Sequence, residues 1–165
     1  MGCDIHVITE VKEEEVWKLN KRKIFTTYYG VPQDTSPFHW RNYAMFGFLA
    51  NVRNSTIEPI QEPNGFPSDS LYLNTPLSSP IDMSYGPEEV IAYTEGESIL
   101  KNINYHSHSH LYLYELLDFD YEEEYMVDIG ISYRELLGTN YFESLNTLKT
   151  LGKPEDVRII FWFDN

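Results

Sequence analysis

Histidine is the side chain whose charge changes near neutral pH. Three of the five histidines in this chain fall within one stretch, Tyr105-His106-Ser107-His108-Ser109-His110. In extended conformation side chains alternate, so His106, His108 and His110 are expected on one face and Ser107 and Ser109 on the other. Imidazoles gathered in this way suit general acid-base work on a phosphoester, where one takes a proton from the attacking hydroxyl or water and another gives one to the leaving oxygen. They also suit a divalent metal, since neutral imidazole and carboxylate are ligands for zinc, manganese or iron. A third possibility is purely structural, with the rings satisfied inside an interaction protein. Asp4 and His6, two positions apart near the N-terminus, place a carboxylate beside an imidazole on one sheet surface. They form either a positioned acid-base pair or two exposed residues of a half-solvated sheet.

These residues need elements to hold them. Residues 3 to 9 alternate as a strand does, with Cys3, Ile5 and Val7 on one side and Asp4, His6 and Ile8 on the other. Lys12-Glu13-Glu14-Glu15 reads as a hairpin turn into Val16-Trp17-Lys18-Leu19-Asn20. A second hairpin into Lys23-Ile24-Phe25-Thr26-Thr27-Tyr28-Tyr29 would complete an antiparallel meander. Tyr43, Phe46, Leu49 and Ala50 fall at helical intervals, predicting a helix over residues 40–52 with Arg41 and Asn42 in its first turn and Arg53 at its end. An arginine in an opening turn opposes the helix dipole, so Arg41 is expected either to pair with a carboxylate or to serve a ligand.

From residue 55 to residue 86 no period is sustained, and Pro59, Pro63, Pro67, Pro76 and Pro80 interrupt the chain. Loops this long are commonly functional or locally packed. Pro87-Glu88-Glu89 then predicts a short helical piece through Tyr93. After the histidines, residues 113–117 turn helical and end in the acidic run Asp118 to Glu124, read as a solvated face. Ser132 and Glu135 form a capping box, and a further helix carries Phe142, Leu145, Leu148 and Leu151 until Gly152 and Pro154 stop it. Val157-Arg158-Ile159-Ile160-Phe161-Trp162-Phe163 is almost wholly apolar, as in a strand covered on both faces at the centre of a sheet. The expected architecture is α+β, a single domain over 1–165, with an antiparallel or mixed sheet, helices packed mainly on one face and a long excursion at about 55–104.

Composition narrows the function classes. The formal net charge of -14, from 26 acidic and 12 basic residues, repels polyphosphate chains and argues against a nucleic-acid polymer as partner. A short anion is still compatible, because a local arginine or backbone donor can hold one phosphate. No stretch approaches the roughly 20 apolar residues of a membrane span, so no membrane is expected. One cysteine, Cys3, permits no internal disulfide. Met1 to His6 lacks the basic region and apolar core of a secretory signal, and His6 stands where a myristoylation signal wants Ser or Thr. A cytoplasmic location is expected.

Several stretches together resemble, in order, a family of small phage and prophage proteins. They are Met1-Gly2-Cys3-Asp4-Ile5-His6, Arg41-Asn42-Tyr43, Leu49-Ala50-Asn51-Val52-Arg53-Asn54, Pro63 with Gly65-Phe66-Pro67, His106-Ser107-His108-Ser109, and the C-terminal run from Val157 through Phe161-Trp162-Phe163-Asp164-Asn165. The resemblance implies the cytoplasm of an infected or lysogenic bacterial cell. It favours His106 and His108 over His110, where relatives tend to carry an aromatic residue. It points to His6, His106 and His108 as catalytic residues, and to Arg41, Asn42, Arg53, Ser107, Ser109 and Asp164 as substrate-binding ones. If a divalent metal is used as cofactor, Asp4, His6, His106 and His108 would be its ligands. The implied function is an accessory protein acting on a small nucleotide or phosphoester, hydrolysing a nucleotide signal of host immunity. Two alternatives stand beside it: a protein that sequesters such a nucleotide, with tyrosines stacking on the base, and a divalent-metal-dependent hydrolase. His106 and His108 are expected to face His6 across a shared pocket.

Overall fold

A computed structural model describes residues 2–27, 30–77, 93–125 and 129–165. The first strand, β1 (Asp4–Glu13), continues past its expected end at residue 9. It turns at Glu14 and Glu15, both left-handed with φ of 50° and 64°, into β2 (Val16–Leu19). Two consecutive left-handed residues give a hairpin the twist of its strands.

The meander ends there, which corrects the sequence expectation. β3 (Phe25–Thr26) pairs instead with β4 (Pro32–Asp34) in a separate two-stranded sheet. The cause is the turn at buried Asn20, whose side-chain amide donates to the carbonyls of Arg22 (3.1 Å) and Thr35 (2.8 Å) and draws the chain away from β2. Tyr28 and Tyr29 of the expected strand lie outside the described residues, as does the helical piece expected from Pro87.

The main sheet is antiparallel, in the order β2, β1, β6 (Val157–Asp164), β5 (Tyr105–Tyr112). Central β6 is buried on both faces, which explains its unbroken apolar run. Val157, Ile159, Phe161 and Phe163 share one core with Cys3, Ile5 and four helices: α1 (Tyr43–Ala50), α3 (Leu113–Asp118), α4 (Tyr133–Leu137) and α5 (Thr139–Leu148). Ile160 and Trp162 face the other way, against Leu73 and against Ile99 of α2 (Glu95–Lys101). The architecture is thus α+β with helices mainly on one face, the opposite face being covered by α2 and the excursion.

Two helices differ from the sequence reading. α1 begins only after Asn42, whose Oδ1 accepts from the Met45 amide at 3.1 Å, and it ends at Asn51 in the left-handed region. Arg41 and Arg53 therefore lie outside the helix, and the dipole does not govern them. α2 was not expected, although Thr94 and Glu97 form a capping box readable in the sequence.

The excursion is fastened to the sheet by buried charge. Glu10 and Arg158, cross-strand partners with no exposure, form an ion pair at 2.7 Å. The same guanidinium reaches Asp69 at 2.7 Å and stacks 4.0 Å from the Trp17 ring, while Ser70 Oγ donates to Glu10. Charges removed from water this completely persist when paired, and here the pairing draws the 69–70 segment onto β1 and β6.

Candidate functional site

The histidine stretch forms β5, but its alternation fails at Ser107. That residue has a left-handed φ of 52°, and two residues, Ser107 and His108, span the interval opposite Trp162 alone. His106 pairs with Phe163 and stacks on its ring (centroids 6.1 Å apart), which places it on the face covered by α1. His110 pairs with Ile160 on the opposite face, and its Nδ1 lies 2.8 Å from the Gly65 carbonyl. His108 packs edge-on against Phe66, which in turn packs against Trp162. The expected single face of three imidazoles is corrected: the bulge sends His106 and His110 to opposite sides of the sheet.

His6 sits elsewhere. It is paired with Trp162, and their rings stack at 5.5 Å with an interplanar angle of 11°. Tyr105 tilts against the same imidazole at 5.2 Å. Trp162 and Phe66 thus stand between His6 and His108, and the sheet stands between His6 and His106. The shared pocket expected for His6, His106 and His108 does not form.

What does form is a polar cluster at one end of the sheet. The outermost pair of the β1–β6 ladder is Asp4 with Asp164. Asp164 accepts from the Asp4 amide at 3.0 Å through Oδ1, and its Oδ2 lies 2.9 Å from His6 Nε2. His6 Nδ1 has no hydrogen-bond partner among the described residues. Both side chains are about one-third exposed, 36% for His6 and 31% for Asp164. Arg41 grips Asp4 with two bonds of 2.8 Å, and this guanidinium holds the Asp4 carboxyl below the usual carboxylate range. Arg53 reaches Asn165 at 3.4 Å and donates to the thiol of buried Cys3. Burial outweighs that bond and pushes the thiol up, so Cys3 stays protonated.

The remaining expected site residues are occupied structurally. Asn42 caps α1. Ser107 Oγ lies 3.0 Å from His106 Nδ1. Fully buried Ser109 donates to Asn64 Oδ1 at 2.8 Å, part of a seam in which Gln61, Asn64 and Gly65 close the outer edge of β5. Among the described residues no group of three or more His, Cys, Asp or Glu side chains could hold a metal ion, so Asp4, His6, His106 and His108 do not gather as ligands. Among the described residues four ring nitrogens are buried without a hydrogen-bond partner: Nδ1 of His39, Nε2 of His106, Nε2 of His108 and Nε1 of Trp162. For His108, desolvation, reinforced by the charge of His106, pushes the imidazole below its ordinary range and keeps it neutral.

Sequence reasoning missed two features near these residues. One is the pair of rings, Tyr105 and Trp162, packed against His6. The other is the Glu10–Arg158 pair, whose signal was Arg158 alone inside the apolar run from Val157 to Phe163. Compared with protein-family models, curated proteins and solved structures, the chain matches none.

Proposed function

We propose that this chain acts on a small nucleotide or another phosphoester, as an accessory protein in the cytoplasm of an infected or lysogenic bacterial cell. In this proposal His6, oriented by Asp164, is the acid-base group. The observation that carries it is the 2.9 Å contact between His6 Nε2 and Asp164 Oδ2 at the edge of an aromatic wall. A carboxylate on one ring nitrogen fixes the tautomer and leaves the other as a proton acceptor. Nδ1 of His6 would take the proton from the attacking water or hydroxyl, while the Tyr105 and Trp162 side offers rings on which a base can stack. Arg41 supports an anionic substrate by neutralising Asp4. No helix among the described residues is long and apolar enough to cross a membrane.

Sequestration without turnover is the second reading. The separation of His106 and His108 from His6 favours it, because no second imidazole stands ready to protonate a leaving oxygen. Incubation of the protein with a panel of cyclic and linear nucleotides separates the two. New products mean hydrolysis, and intact nucleotide released on heating means sequestration. His6→Gln should lower any turnover by roughly 10²-fold or more, the usual worth of a general base. Unchanged turnover in that variant sinks the assignment.

A further inference from the structure

A concavity with a volume of about 530 Å³ lies along β2, at the far end of β1 from His6. Cavities of roughly 300–1,000 Å³ accommodate small organic ligands. Its apolar lining includes Leu19, the ring of Tyr72 and Leu71, which is half exposed despite its size. Its basic lining is Lys18, Lys21 and Arg22.

This concentration of cations runs against the balance of the chain as a whole, in which acidic residues outnumber basic ones 26 to 12. Glu13 also lines the groove and lies 3.6 Å from Lys18, offsetting that charge. Lys21 and Arg22 have no acidic partner among the described residues. Their turn is tied down, since Asn20 donates to the Arg22 carbonyl (3.1 Å) and accepts from the Arg22 amide (3.1 Å). Tyr72 is held from behind by Glu95, to which its hydroxyl donates at 3.2 Å. Lysines along an edge strand can serve only to keep other chains away. That role requires neither an apolar cavity beneath the charges nor a fastened turn.

We infer that this groove binds a small amphipathic organic anion, one anionic head on an acyl or aryl body, with the head at Lys21 and Arg22 and the body against Leu19, Leu71 and Tyr72. The site is separate from the His6 cluster and stands or falls independently of it.

The test uses the full chain and the fluorescent aryl sulfonate 8-anilinonaphthalene-1-sulfonate. Saturable binding at one site is expected, displaced by octanoate and not by the same concentration of inorganic phosphate. Charge reversal in Lys21→Glu/Arg22→Glu should weaken binding about tenfold, equivalent to 1.4 kcal/mol. The His6→Gln variant should bind the probe as the parent does. If the double reversal does not fold, Lys21→Gln/Arg22→Gln replaces it, with a weakening of about threefold expected. Binding that ignores both double variants, or that phosphate displaces as well as octanoate does, overturns the assignment.

Discussion

His108 is the residue whose environment speaks most directly through pH. Its ordinary value is 6.5, and in the folded chain burial lowers it. Between 6.5 and the lower folded value the unfolded chain holds more protons, so stability falls as pH falls through that window and is fully present above it. His108→Phe keeps a ring against Phe66 and removes the titration. Its urea midpoint should therefore drop less than the parent's between pH 7.5 and pH 5, and equal drops would exclude His108 as the source. His6 differs in kind, because its Nε2 is engaged by Asp164 and the ring edge is open to water. Asp164→Asn keeps the size of that side chain but removes the carboxylate. Any turnover should fall by roughly 10²-fold or more, as expected for loss of an oriented base, while the thermal midpoint moves little.

At the scale of elements, the β5 bulge decides which histidines can cooperate. Ser107 is held at φ 52°, where the branched Cβ of valine meets more steric conflict than serine's, so Ser107→Val should destabilise the fold. Ser107→Gly suits the backbone, offsets its gain against the lost contact to His106, and should lie close to the parent in a denaturant titration. If Val and Gly behave alike, the left-handed conformation is not what the bulge demands. The neighbouring seam of Asn64 and Ser109 shows why the excursion is long: it has to close the edge of β5 before reaching the far face. Periodicity and capping made α1, α3, α4 and α5 legible in outline, because helix signals act within a few residues. The bulge was illegible, since serine at position 107 carries none of the glycine signal that marks left-handed backbone.

For the whole molecule, the Glu10–Arg158 pair joins β1, β6 and the excursion into one unit. Arg158→Met leaves the Glu10 carboxylate buried and unpaired, and should cost about 3–5 kcal/mol in equilibrium unfolding. Removing both charges in Glu10→Met/Arg158→Met should recover most of that loss, and a double variant as weak as the single one would contradict the account. By itself the sequence determined the α+β class, the apolar central strand and the helix caps, because these follow from alternation, periodicity and hydrogen bonds between near neighbours. It also set Asp4 and His6 two positions apart, a carboxylate beside an imidazole on one sheet surface. Only the tertiary structure decided that His6 meets Asp164, 158 positions away, and that His106 and His108 do not join them. The physical reason is register: which side chains share a face depends on how β1, β5 and β6 align across the sheet, and one extra residue in β5 reverses the answer.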